Sequence, residues 1–299
     1  MMQKYAKALI VTAGVCWGCI GLFIRILNSF GVTAMQLVEA RGLVAVVIIG
    51  CILFFYDKSL FKINIRHIWC FAGTGIVGII LFNLCYFTTI AETSLSVAAV
   101  LLYTAPIFVM LISAPLFGER ITNVKLVALA MAFAGCVLVS GVLNDAAVLS
   151  TKGLIIGLGA GVGYALYTVF ARYALNYGYS SLTIQFYTFA LAMCLGAFFT
   201  DFGQLAAAYE AHHMSFLAAI IGIGLISTTV PNLLYTTGMK YIDNGRTSVM
   251  ASIEPVTAII VGIVVFHEIP SLSGFIGIGL VLGALIVVNM GSSAERKRT

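Results

Sequence analysis

The chain has 299 residues, of which 61% are hydrophobic and 9% charged, and its mean hydropathy is +1.08. Soluble domains run about half apolar and about a quarter charged, so this composition excludes a soluble enzyme, a disordered segment and a nucleic-acid-binding protein. The net charge of +5 comes from too few ionisable residues to line a basic groove, and their distribution explains it better.

Ten apolar runs bounded by turn residues are expected as helices, at about 6–27, 33–56, 67–90, 94–116, 121–141, 152–175, 180–200, 214–239, 244–266 and 271–290. Each has roughly the 20 residues that cross a bilayer core of about 30 Å. The first follows Lys4 and Lys7 as a signal peptide would, but it is too long, no small-residue cleavage site stands out, and nine similar runs follow. It reads as a true span. The second carries Glu39 and Arg41. The third contains Gly73-Thr-Gly75-Ile-Val-Gly78, a dinucleotide-like spelling with no βαβ unit around it. Asn83 and Tyr86 follow in the same run, and Tyr103 and Pro106 lie in the fourth. The sixth holds Tyr164 and Tyr167, the eighth Asn232 and Tyr235, and the ninth Glu254-Pro255. His212-His213 falls in the loop before the eighth. All seven cysteines, including Cys16-x-x-Cys19, sit in apolar runs as small hydrophobes.

With the N-terminus in the cytoplasm, thirteen of the sixteen Lys and Arg residues fall on the cytoplasmic side. Lys152, Arg25 and the intramembrane Arg41 are the rest, while Glu92, Asp145, Asp201 and Glu210 fall outside. Lys/Arg asymmetry sets topology. Both termini are therefore expected in the cytoplasm of a multi-pass protein of the inner or plasma membrane.

The two halves resemble each other. An offset of 149 takes Asn83-Leu84-x-Tyr86 to Asn232-Leu233-x-Tyr235, Gly73 and Gly75 to Gly222 and Gly224, Pro106 to Pro255 and Glu119 to Glu268. An offset of 147 takes Ala13-Gly14-Val15-x-Trp17 to Ala160-Gly161-Val162-x-Tyr164, and Arg25 to Arg172. A preserved offset across several helices marks duplication. The expected fold is all-α and integral to the membrane, with ten transmembrane helices in two five-helix repeats. The repeats occupy 1–143 and 150–291, and a basic cytoplasmic tail follows at 292–299. Five spans is an odd number, so the second repeat is inverted, a transporter architecture with its site near the midplane.

Ionisable groups inside spans are costly and mark function by default. Glu254 is the leading candidate, because Pro255 removes a backbone donor beside it and leaves a carbonyl to face a cavity. Glu39 and Arg41 are two residues apart and point to different sides of one helix. They are coupling or structural charges, and Arg41 could hold a carboxylate. Trp17, Tyr86, Tyr103, Tyr164 and Tyr235 lie deep in spans. With Asn83 and Asn232 they complete an expected substrate-binding set, with Pro106 and Pro255 as helix breaks. Trp17 with Tyr164, and Tyr86 with Tyr235, could form an aromatic box suited to a cation beside Glu254. The G-x-x-x-G pairs Gly14/Gly18, Gly157/Gly161, Gly159/Gly163 and Gly279/Gly283 let helices approach. No His or Cys cluster with metal spacing, catalytic set or Walker loop is found, so no cofactor, metal or enzymatic activity is expected, and ATP on this chain is excluded as the energy source.

The chain resembles the drug/metabolite transporter superfamily, EamA type. The resemblance rests on Gly14-Val-Cys-Trp17-Gly18 and on Pro106 eleven residues before Phe117-Gly-Glu119-Arg120-Ile-Thr122. Glu254-Pro255 followed by Phe266-His-Glu268 matches in the second half. It implies ten helices, two EamA repeats, a central cavity lined mainly by helices 1, 3, 4, 6, 8 and 9, and mostly export of amino acids or other small metabolites. His267 where Gly118 stands, and Pro270 where Ile121 stands, depart from the first-half pattern, and Glu39 is less typical of the family. The expected function is secondary transport of small metabolites such as amino acids, as an exporter, by alternating access. The alternative is uptake of an organic or quaternary amine through an aromatic and acidic central site. The expected partners are the substrate, protons and the lipid bilayer, with no nucleic acid, and the chain acts as a monomer or homodimer.

Overall fold

In lipid every backbone polar group must be satisfied within the protein, which favours helix over any open structure. The computed structural model describes residues 2–144 and 150–295, and every element among them is helical. Asp145 and the tail residues Arg296, Lys297 and Arg298 lie outside the described residues. Nine of the described helices are long and apolar enough to span a membrane. In chain order they are α1 (Tyr5–Ser29), α2 (Ala34–Tyr56), α3 (Ile65–Glu92), α4 (Leu95–Phe117), α6 (Thr151–Asn176), α7 (Ser181–Phe199), α8 (Phe202–Met239), α9 (Asn244–Phe266) and α10 (Leu272–Met290). The shorter α5 (Asn123–Val139) has 17 residues, about 25 Å of helix. The protein is a multi-pass membrane protein.

Local chemistry sets the ends. Thr33 and Gln36 form a reciprocal capping box that starts α2. Ser94, Thr122, Ser150, Ser180 and Asp243 each cap a helix by accepting a backbone N–H. Both α4 and α9 are interrupted. The first breaks at Tyr103–Thr104 and the second at Ser252–Ile253, and Pro106 and Pro255 open the segments that resume, Ala105–Phe117 and Glu254–Phe266. Pro is tolerated there because the first turn has no N–H partner to lose.

α4 and α9 also end alike, in a left-handed residue: Gly118 at φ 65° and His267 at φ 54°. Glycine adopts this conformation without steric cost, whereas a side chain costs about 1–2 kcal/mol. His267→Gly is expected to raise stability by about 0.5–1 kcal/mol once the freer unfolded chain is counted, read as a higher midpoint of thermal unfolding in detergent.

Three features depart from the sequence reading. His212 and His213 are not a loop pair. Asp201 accepts from the N–H groups of Gly203 and Gln204 and starts α8 early, at Phe202. The extra turns bury Ala208 beside Phe216 against Leu27, Val32 and Leu37, and His212 stacks on Phe30 at 4.0 Å. The helix breaks only at His213, with φ 40° and ψ −110°. Second, α3 and α8 each contain a π-helical stretch, at Gly73–Leu81 and Leu225–Thr229. Wide turns loosen the carbonyl ladder, and Thr229 Oγ1 takes up the Gly224 carbonyl five residues back at 2.7 Å. Third, Gly279 meets nothing within 4 Å, so the Gly279/Gly283 pair is not the close seam of α10. That seam is Gly277 against Gly135 of α5, and α5 and α10 form the most extensive helix pair.

Candidate functional site

α1 lies along α8 and α9, and Gly18 allows it. A Cβ on Gly18 would sit 2.5 Å from the Glu254 carbonyl oxygen. Only a bare Cα lets α1 pass the break in α9 that closely, and the approach sets Trp17 and Glu254 in the wall of one cavity. That cavity is about 190 Å³. Its lining is mostly apolar and aromatic, and Arg41 and Glu254 are its only charged residues among those described.

Arg41 reaches across from α2 to α3, where Nη2 donates to Asn83 Oδ1 at 3.5 Å. Asn83 is held in turn by Nδ2 donating to the Ile79 carbonyl of the π stretch at 2.7 Å. Asn232 repeats the arrangement on α8, donating to the Thr228 carbonyl at 2.7 Å. Both asparagines are therefore placed by carbonyls of the two irregular stretches. Glu254 and Arg41 share the cavity, yet among the described residues neither makes an ion pair. Arg41 keeps donors beyond its bond to Asn83, and neither charge is committed to a salt bridge, so both can meet a ligand. Thr228 also lines the cavity, and its Oγ1 is buried without a hydrogen-bond partner among the described residues.

Trp17 meets Tyr164 edge-on at 6.4 Å, Tyr164 meets Phe82 at 6.1 Å, and Phe82 stacks with Tyr86 at 6.1 Å. These four rings form a continuous aromatic wall. Of the expected set, Trp17, Asn83, Tyr86, Tyr164, Asn232 and Glu254 line the cavity. Tyr103 lies beside it, in a smaller recess shared with Tyr164 and Glu254. Tyr235 is not in the wall. It is 0% exposed, its hydroxyl is 3.0 Å from Thr168 Oγ1, and its ring packs behind Trp17 at 5.2 Å. The box is thus one-sided rather than built of two matched pairs. Glu39 also lies outside the cavity. It is 7% exposed, its Oε2 has no hydrogen-bond partner among the described residues, and Gly196 of α7 lies against it. Ser227, Thr228 and Phe82 were not singled out from the sequence. Hydroxyls and apolar rings are ordinary in a span and carried no signal there.

The cavity is shut toward the face where α1 and α10 bring the chain ends together, joined by Lys7 Nζ donating to the Asn289 carbonyl. Its floor is a hydrogen-bonded layer in which Tyr167 donates to Asn232 at 2.9 Å. Gln185 donates to both Tyr167 and Thr236, at 2.8 and 2.6 Å. Below it, Arg172 donates to Asn244 Oδ1 and the Ile242 carbonyl. The Glu119 carboxylate accepts the Asn244 and Gly245 N–H groups at 2.7 and 3.1 Å. Lys125 pairs with Asp243 at 2.8 Å. Toward the other face the lining continues through Ile20, Ile24, Leu37 and Phe87, and among the described residues no comparable polar layer crosses it. The ion pairs Arg25–Glu268 and Lys152–Glu92 are partly exposed and are not among the residues that line the cavity.

A family model described as EamA-like transporter family matches residues 5–141 and 151–290. The chain is 30% identical over 290 residues to an uncharacterized transporter of Archaeoglobus fulgidus, covering 95% of this chain and 96% of that protein. It is 22% identical to the uncharacterized transporter YetK of Bacillus subtilis, over 83% of this chain and 76% of that protein. A solved crystal structure superposes with a TM-score of 0.77 at 19% identity, over 98% of this chain and 99% of that chain, which speaks for the fold alone.

Proposed function

The chain belongs to the EamA-like transporter family, and from that premise we propose that it is a secondary carrier exporting small metabolites such as amino acids by alternating access. The observation that carries this reading is the pair of opposite charges, Arg41 and Glu254, in one aromatic-walled cavity with no ion pair between them. A guanidinium suits a carboxylate bidentately, a carboxylate suits an ammonium, and the wall of Trp17, Tyr164, Phe82 and Tyr86 suits an apolar side chain. A small zwitterion uses all three. Both termini lie in the cytoplasm of the cell membrane in this reading, as the Lys/Arg distribution favours, so the cavity faces outward here. The inverted repeats at 1–143 and 150–291 supply the second conformation, open to the cytoplasm.

Glu254 is the primary candidate for a coupling proton, and Glu39, buried apart from the cavity, is the second. Glu254 beside an aromatic wall also favours a second reading, uptake of an organic or quaternary amine. In that case Arg41 is dispensable for binding.

The test is flux in proteoliposomes with a lumenal pH dye, across amino acids, organic amines and sugar phosphates. Uptake of an amino acid with a proton signal that Glu254→Gln removes supports the exporter reading. Amine flux retained in Arg41→Gln supports the second reading. Folded protein with no flux for any class counts against both.

A further inference from the structure

We propose that Glu119 and Glu268 are alternating latches, each closing one face by capping the first turn of a broken helix, so that only one is engaged at a time. This rests on the alternating-access reading above. In the structure Glu119 is engaged, holding the N–H groups of Asn244 and Gly245 at the start of α9. The 149-residue offset takes Glu119 to Glu268 and these two positions to Leu95 and Ser96, the start of α4.

The two landing sites match in detail. Asp243 caps α9 by accepting from the Arg246 N–H at 3.0 Å, and Ser94 at the same offset caps α4 by accepting from the Val97 N–H at 3.2 Å. In both, a short helix runs to a break before a proline, and the resumed helix ends in a left-handed residue that delivers the next residue, the glutamate. The ligation differs. Among the described residues the Leu95 and Ser96 N–H groups have no hydrogen-bond partner, while Glu268 stands on Arg25 at 2.7 Å, with both side chains about half exposed (52% and 51%).

That asymmetry tells which contact holds the state. A carboxylate on two N–H groups at a helix N-terminus is charge-assisted twice over, whereas an exposed ion pair contributes little. Glu268 is parked rather than locked. In the state open to the other face, Glu268 moves to Leu95 and Ser96. Glu119 then releases α9 and takes Arg172, which the 147-residue offset relates to Arg25.

The test uses the full-length chain in nanodiscs, where maleimide reaches both faces. Two introduced cysteines are compared, each read as labelling above that of the seven native cysteines: Ile24→Cys on the open path, and Ser248→Cys, at a position buried behind the closed face. Loss of one charge-assisted cap is expected to shift the equilibrium about tenfold. Glu119→Gln should speed labelling of the Ser248→Cys site relative to Ile24→Cys, and Glu268→Gln should slow it. Leu95→Pro, which removes one landing N–H at a position where proline is tolerated, should copy Glu268→Gln. The double glutamate variant should return to within about twofold of the parent, the opposed shifts cancelling. Shifts in the same direction, or no shift in Glu268→Gln and Leu95→Pro, overturn the latch. Glu268 is exposed, so those outcomes do not depend on how well Glu119→Gln folds. If a transported substrate still changes the labelling ratio of the parent, the carrier reading survives that failure; if it does not, both fall.

Discussion

Glu254→Gln is expected to lower apparent substrate affinity by about 30- to 150-fold, the loss of about 2–3 kcal/mol for a charge-assisted bond. Arg41→Gln should cost a zwitterion about as much, because the guanidinium meets the other end of the molecule. The stability changes follow a different rule. Each single substitution leaves the other residue as the only charge in the cavity lining, and an uncompensated buried charge is destabilising. The double substitution removes both charges. It should therefore unfold at a higher temperature than either single variant while transporting no better. Flux and thermal unfolding measured on the same four proteins check this. Equal unfolding midpoints for all four would mean that the two charges do not sense each other through the cavity.

Gly135→Val should be the most damaging single change away from the site. An ideal Cβ at Gly135 already lies 2.8 Å from the Gly277 carbonyl oxygen and 3.0 Å from the Val281 nitrogen. Those are backbone atoms of α10, which cannot turn aside as a side chain can. Overpacking of this kind costs about 1–3 kcal/mol or forces the helices apart. Gly279→Val is the control, since nothing lies within 4 Å of its Cβ position, and a change there should stay within about 0.5 kcal/mol. Thermal unfolding of both variants in one detergent gives the comparison. A Gly135→Val protein as stable as Gly279→Val would show that α5 and α10 can separate freely.

The helices and the two cavity charges were legible in the sequence because lipid makes both conspicuous. Long apolar runs have few alternatives to a spanning helix, and Arg41 or Glu254 in such a run has no cheap place to go. Facing was not legible. These helices are apolar nearly all round, so nothing in the pattern separated Tyr235, buried behind Trp17, from Tyr86 in the cavity wall. The same ambiguity hid Gly277, which carries the close seam with α5, behind the better-spelled Gly279/Gly283 pair. The early start of α8 was obscured for another reason. Residues 202–212 mix polar and apolar side chains, and it takes the Asp201 cap together with packing on Leu27 and Leu37 to make a helix of them. The site residues Ser227 and Thr228 lie within a π stretch, and backbone register of that kind leaves no mark in composition.

Those π stretches also bear on how the site could move. A π turn holds one residue more than an α turn, so each is a parcel of slack stored in the middle of a spanning helix. Slack of this sort can pass along the helix while the number of satisfied carbonyls stays nearly constant. Every residue it passes is turned by about 100°, the angular step of one residue at 3.6 per turn. Asn83 and Asn232 sit just past the two parcels, each clamped to a carbonyl within or beside one. A shift of one residue would swing either amide out of the cavity without unfolding a turn, giving the polar lining a rotary adjustment separate from any rocking of whole helices.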